Sequence, residues 1–553
     1  MEVQSERAET QDEENETPKT QNEDKSSPAP MKMISTRQNQ VSLNLMGIKR
    51  ALANMIILHE YPLSLVDHIG FKIHSNTLQP LFKVCSRNTV KKDIFKIFEI
   101  ERERTMKLLD TNKSKIAITT DMWTSNNQKR GFMTVTSHFI DDAWKLQSRL
   151  IRFIYVPCPH TADVLADALM ECMYDWNFDN KLSYSSLMLD GRLFPMRCCA
   201  HILNLVVRDD LEVIKNSIEK IRYSVAFWLG TQKREEKFIE TTKQLRVPTS
   251  KMLELDCKTR WNSTYSMLKT AMIYKDIFPR LKHREPLYKE VPSESDWVKT
   301  NELVDKLGIF YDVTLLFSET KYPTANLYFK NICAIRLAIC DCLVSDQEDV
   351  KTIALQMQKK FEKYWDTMHG LMGVASILDP RYKMKQIEFL CPLIYGDNAA
   401  QEVFKYKNIL YDLVKEYQSK SQQSHHVQHE SSINNPLSRA TMPKLDLVKQ
   451  LDVFVSHSTT NTHVKYELDH YLDESHLPRN DDDDFEILCW WKSNGIKYPT
   501  LHDIARDILA IPVSTVASEY CFSTSGRIIS PHHSRLHSKI VEALMCARDW
   551  LWN

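Results

Sequence analysis

Four places in this 553-residue chain combine residue types and spacings that can do chemistry. Asp121 follows Lys115-Ile-Ala-Ile-Thr-Thr120, which alternates at period two and reads as a strand. A carboxylate at a strand end can hold a divalent cation, or serve as a turn residue or helix cap. Cys198 and His201, in Arg197-Cys-Cys-Ala-His-Ile-Leu-Asn-Leu205, have the spacing of half a zinc site. No second pair lies at finger spacing, so no structural zinc is expected, and a buried pair on an apolar helix is the other reading. Asp256-Cys-Lys-Thr-Arg-Trp-Asn-Ser263 joins Lys258 and Arg260, able to grip phosphate, to Trp261, able to stack on an unpaired base if it is exposed. Glu519 is the acidic residue of Ile511 to Gly526, an otherwise small, apolar and neutral helix-like run, and by itself reads as part of a solvated face.

The elements that must position these groups follow from periodicity. Gly131 to Ile140 and Lys145 to Val156 read as two further strands, joined by a turn at Asp141-Asp142. Thr161 to Trp176 is an amphipathic helix, and Ser185 to Leu189 is strand-like and ends on Asp190. Three strands in a meander, a helix and a fourth strand is the order that opens a ribonuclease-H-like fold, in which the first and fourth strands each bring an aspartate to one end of the sheet. Helical segments then run from about Leu211 to Tyr417, including Glu302 to Phe317 and Val350 to His369. Near the end, Thr500 and Asp503 after Pro499 resemble a capping box. The helix that follows carries Leu501, Ile504, Ile508 and Leu509, and a last one, Lys539 to Trp552, carries Ile540, Leu544 and Leu551.

The fold class expected is therefore α/β with a large helical content: a ribonuclease-H-like core interrupted by a helical insertion. The expected divisions are an acidic, disordered tail at 1–40, small helices at 41–114 and the first part of the core at 115–210. The insertion follows at 211–418, a flexible linker at 419–464 and a C-terminal helical region at 465–553. His425, His426 and His429 in the linker have no cysteine or carboxylate pattern around them and read as solvated. With 72 basic and 72 acidic residues the chain has no global polyanion-binding field, so any nucleic-acid contact must be local. Scattered cysteines without an apolar leader imply reduced thiols, and no run approaches a membrane span.

Taken in order, these motifs resemble the hAT family of transposases, most nearly its plant Ricesleeper and Daysleeper type. The resemblance implies that Asp121 and Glu519 are catalytic, metal-binding acids, with Mg or Mn as the cation if the site is active. It also implies that Cys198 and His201 lie near the active site with DNA-contacting Lys258, Arg260 and Trp261, and that the C-terminal region dimerises. Trp490, Trp491, Leu501, Ile504, Ile508, Leu509, Phe522, Ile540, Leu544 and Leu551 are the candidate dimer residues. DNA, a second copy or a related hAT protein are the implied partners. The nucleus is the implied location, since Lys49-Arg50 and Lys91-Lys92 are too short to be a targeting run.

The sequence departs from the family pattern twice. The second catalytic aspartate's motif is missing where Lys181 to Tyr184 runs directly into Ser185 to Gly191, with Asp190 the one topological replacement. A BED-type finger is not expected, because the first cysteine is Cys85. The reading is a domesticated or degenerate hAT transposase-like protein that dimerises and binds DNA, with strand cleavage not expected. An active metal-dependent transposase and a dimerisation-only partner of intact relatives are the alternatives.

Overall fold

In a computed structural model, residues 31–125, 129–178, 197–208, 210–346, 348–430, 463–478, 485–529 and 536–552 are described. Three helices lead in: α1 (Met31–Leu58), α2 (Ile69–Leu78) and α3 (Arg87–Thr111). Helix α1 starts inside the segment expected to be a tail. An antiparallel sheet follows, in the order β1 (Ala117–Thr124), β2 (Gly131–Ile140), β3 (Leu146–Val156), and then α4 (Ala162–Asp175). Strand β2 is buried along its whole length, which is why its alternation is weak and its apolar content high. Strand β1 does not stop at Asp121, as expected, but runs on to Thr124, because Asp121 pairs with Thr134 and Trp123 with Phe132. The Trp123 and Phe132 rings, 6.2 Å apart, extend the pairing beyond the acid. The strand-like run ending on Asp190 lies outside the described residues.

The helical part comprises α5 (Cys199–Arg208), α6 (Lys215–Leu229), α7 (Gln232–Gln244), α8 (Trp261–Ile273), α9 (Ile277–Arg284), α10 (Glu294–Phe317), α11 (Ala325–Leu343), α12 (Glu348–Ile377), α13 (Lys383–Tyr395) and α14 (Ala399–Glu430). Helix α10 opens with a capping box in which Ser293 and Asp296 satisfy each other's backbone amides. Helix α14 runs on past Ser419 into the expected linker. Between Ser419 and Glu430 no glycine or proline occurs, so nothing in the local sequence ends the helix.

The C-terminal region contains α15 (His463–Asp473), α16 (Ile487–Asn494), α17 (Pro499–Leu509), α18 (Val516–Ile528) and α19 (Ser538–Trp552), and it is shared between two cores. Helices α15 to α17 join the helical core: the Trp491 indole donates to Leu378 O at 2.9 Å and the Tyr471 hydroxyl to Ile377 O at 2.9 Å. Helices α18 and α19 instead pack on the sheet. Strand β3 carries an extra residue between Leu150 and Arg152, opposite Thr136 and Val135. There α19 takes up the displaced backbone: Leu150 N donates to Asp549 at 2.8 Å and Trp550 Nε1 to Leu150 O at 2.8 Å. The expected Thr500/Asp503 capping box does not form. Pro499 occupies the first turn, and the free amide of Leu501 is capped by Glu467 of α15 at 2.8 Å, a partner that is remote in sequence.

Candidate functional site

Asp121 sits mid-strand on β1, half-buried. Its Oδ1 accepts from the Met122 amide at 2.8 Å, and the Thr134 hydroxyl donates to its carbonyl at 3.3 Å. Burial pushes its carboxyl above the ordinary aspartate range. The Met122 amide, the charge of His201 and the Thr515 hydroxyl pull the other way. Those last two groups come from α5 and from the cap of α18, respectively.

The same two elements are tied directly together. The Thr515 amide donates to Cys198 Sγ at 3.3 Å and the Cys199 amide to Val513 O at 2.9 Å. On β1, Trp123 stacks on Phe522 of α18, centroids 6.0 Å apart. Asp121, the Cys198–His201 pair and the first turn of α18 thus converge from three distant parts of the chain. Glu519 lies on α18 one turn beyond Thr515, and its side chain falls outside the described residues. Cys198 acts here as a hydrogen-bond acceptor at a helix start.

Among the described residues no group of three His, Cys, Asp or Glu side chains converges as a metal site. Asp121 and His201 together are one carboxylate and one imidazole, short of the acids that a two-cation centre needs. The side chain of Glu519 and all of Asp190 lie outside the described residues, and no cleavage step is derived through a metal pair.

Helix α5 also reaches the third motif. Asn204 Oδ1 accepts from the Trp261 amide at 3.4 Å. Trp261 itself corrects the expectation of an exposed, base-stacking ring: it is 3% exposed and packs edge-on to Tyr265 at 6.2 Å. As the first residue of α8 it is turned into the helical core, where its large apolar area is better used. The exposed part of the motif is the preceding turn, with Lys258 and Arg260. Asp256 holds that turn, accepting from Arg222 Nε and Nη2 at 2.7 and 2.6 Å and from the Thr264 hydroxyl at 2.6 Å. Lys258 pairs with Glu219 at 3.1 Å.

Most of the candidate dimer residues also pack within one chain. Trp491, Leu501, Ile504, Ile508, Leu509, Phe522, Ile540 and Leu544 are buried within the single chain, and Trp490 and Leu551 are half-buried. Helical spacing marks any face that packs, within one chain or against another, and in the single chain these faces meet its own core. Sequence reasoning also missed Thr515, Asn204 and the Arg222–Asp256 pair. A threonine ahead of an apolar helix was a legible signal for the first; the other two depend on contacts across the fold.

Four family models match: ZBED1 RNase-like domain at residues 119–215, ZBED1 RNase-like helical domain at 196–305, hAT-like transposase, RNase-H fold at 326–417, and hAT family C-terminal dimerisation region at 467–551. Zinc finger BED domain-containing protein RICESLEEPER 2 of Oryza sativa subsp. japonica is 36% identical, over 90% of this chain and 74% of the relative. DAYSLEEPER of Arabidopsis thaliana, also a zinc finger BED domain-containing protein, is 32% identical over 92% of this chain and 74% of its own length. A putative AC transposase of Zea mays is 35% identical, over 90% of this chain and 64% of its own. With the ordered motifs, the ribonuclease-H-like sheet and the C-terminal helices in place, this chain belongs to the hAT family of transposases and transposase-derived proteins.

Proposed function

We propose that this chain is a domesticated or degenerate hAT transposase-like protein that dimerises through its C-terminal region and associates with DNA in the nucleus without cutting it. The observation that carries the reading is the junction of Tyr184 with Ser185, where the motif of the second catalytic aspartate is missing. Two-cation cleavage holds its metals about 3.5 to 4 Å apart with bridging carboxylates. Losing the central acid removes that geometry while leaving DNA contacts intact. Those contacts fall to the exposed turn with Lys258 and Arg260, next to α5 with Cys198 and His201. The nuclear assignment follows from the BED-type and transposase relatives.

Because the apolar residues of α16 to α19 are mostly spent on the two cores, the dimer surface draws on groups left outside, such as Ile496 at 99% and Trp552 at 70% exposed. Sedimentation of the purified chain at micromolar concentration tests dimerisation: a dimer weakened by Ile496→Glu is expected, and a monomer overturns it. Incubation with duplex DNA and Mn tests cleavage. Binding without nicking is the expected result. Nicking that Asp121→Ala abolishes overturns the reading and favours the active enzyme, for which the retained convergence of Asp121, His201 and α18 is the supporting observation. Binding no DNA at all leaves dimerisation with intact relatives as the function.

A further inference from the structure

Helix α5 is held between two neighbours, and both are basic where they meet it. On one side Asn204 bonds the Trp261 amide, which sets the turn of Lys258 and Arg260 against the middle of the helix. On the other side lies α12, whose Lys360 donates to Leu205 O at 3.1 Å. One turn further along α12, the half-buried Tyr364 ring lies under the guanidinium of Arg197, 5.4 Å away and two residues before α5 begins. The two contacts run α12 antiparallel to α5 and place their outer sides on one surface.

Three cations on this surface are exposed: Arg197 and Arg208, which bracket α5, and Lys363, 5.7 Å from the Tyr364 ring. None of the three pairs with a carboxylate among the described residues, whereas Lys258 is matched by Glu219. Nearby acids do not cancel them. Glu212 is taken up by Lys215 at 2.8 Å, and Glu362 stands about 160° round α12 from Tyr364. A guanidinium stacked on a tyrosine is held in place without being neutralised, so its charge and its hydrogen-bond donors stay available. In a chain of 72 basic and 72 acidic residues, three uncompensated cations beside one aromatic ring make a local positive field that overall composition does not require.

We propose that the surface formed by Arg197, Arg208 and Lys363 binds the phosphate backbone of duplex DNA beside the Lys258–Arg260 turn. Helix α5 has 10 residues and rises about 15 Å. Each strand of a duplex presents a charge about every 3.4 Å along the axis, so the strip spans about four base pairs. Exposed His201 stands on α5 between the two arginines, and its charge reaches Asp121, so a strand lying along the helix passes that carboxylate. Phosphate contacts of this kind position the duplex and carry no sequence preference. The inference rests on the DNA association proposed above and adds where the duplex lies.

The test titrates the full chain with a fluorescent duplex of random sequence and follows anisotropy from low to physiological salt. Replacing all three cations, by Arg197→Ala, Arg208→Ala and Lys363→Ala together, lowers the slope of log affinity against log salt by about 2.7, three phosphates' share at about 0.9 each. Arg197→Lys with Arg208→Lys keeps both charges and keeps the slope; a fall there would trace the loss to folding and overturn the assignment. Tyr364→Leu weakens binding about two- to five-fold with the slope unchanged, because the cation remains but is no longer held. Undiminished affinity would refute the held guanidinium on which the site rests. Two results separate this inference from the function beneath it. If the triple variant keeps the parent's slope, and Lys258→Ala with Arg260→Ala loses it instead, the strip is overturned and DNA association stands. A parent chain that binds no duplex overturns both. Poly-glutamate competing as strongly as the duplex, charge for charge, would assign the surface to an acidic protein and also overturn the proposal.

Discussion

Replacing Asp256 by alanine should loosen the start of α8, and the size of the effect follows from the geometry. The carboxylate is fully buried and receives three hydrogen bonds, two of them from the Arg222 guanidinium, itself 13% exposed. Removing one partner of a buried pair costs about 3 to 5 kcal/mol, mainly because the other charge is left without compensation. Arg222 keeps Glu219 at 2.6 Å, which places the loss at the low end, about 3 kcal/mol. Hydrogen exchange followed by mass spectrometry on the 255–273 peptide should then speed up about a hundred-fold at the first turn, where Ser263 N bonds Arg260 O at 3.1 Å. The effect also has a sign in pH. Burial pushes the Asp256 carboxyl up, but the Arg222 and Thr264 hydrogen bonds outweigh it and hold it below the ordinary aspartate value. Its stabilisation is present above the unfolded pKa of about 4 and is lost as pH falls through the lower, folded value, so the deficit of Asp256→Ala should vanish in strong acid. A change below about five-fold at neutral pH would mean the pair behaves like a surface ion pair, and the argument that it holds the Lys258–Arg260 turn rigid would fail.

Asp507 carries the opposite sign: burial pushes its carboxyl up to about 6, against the hydrogen bonds of Tyr417 and the Lys115 amide. Its favourable contribution is complete below the unfolded value near 4 and is lost as pH rises through 6, roughly 3 kcal/mol in all. Thermal scans from pH 4 to 7 should show a decline that Asp507→Asn flattens. Gly373→Ala places a methyl group 2.3 Å from the Tyr406 ring, inside the contact of α12 with α14. A loss of about 1 to 3 kcal/mol in urea titration is expected, and a neutral result would show that the two helices can move apart. Asp549→Ala strands the Leu150 amide in the bulge, at about 1 to 3 kcal/mol, read as faster exchange at β3 with β1 unaffected.

Much of this protein was legible in its sequence. Period-two alternation located β1, strand-like apolar runs around an Asp-Asp turn located β2 and β3, and the amphipathic run from Thr161 located α4, where the Thr161 hydroxyl caps the Val164 amide. Those are local signals, set by side-chain alternation and by unpaired amides at a helix start, so a single sequence carries them. The four motifs also identified the family, because residue type and order survive without coordinates. What periodicity could not say is which neighbour a face packs against. Ile504 and Ile508 recur at helical spacing whether they meet a second copy or the chain's own core, and only the tertiary structure placed them inside. Trp261 is likewise consistent with stacking on DNA or packing beneath α8, and the fold decided for packing through Asn204 and Tyr265. The convergence of Asp121 with His201 and Thr515 joins residues 80 to 394 positions apart. No local preference encodes such a meeting; it arises when the sheet and the helices beside it bury their apolar faces together.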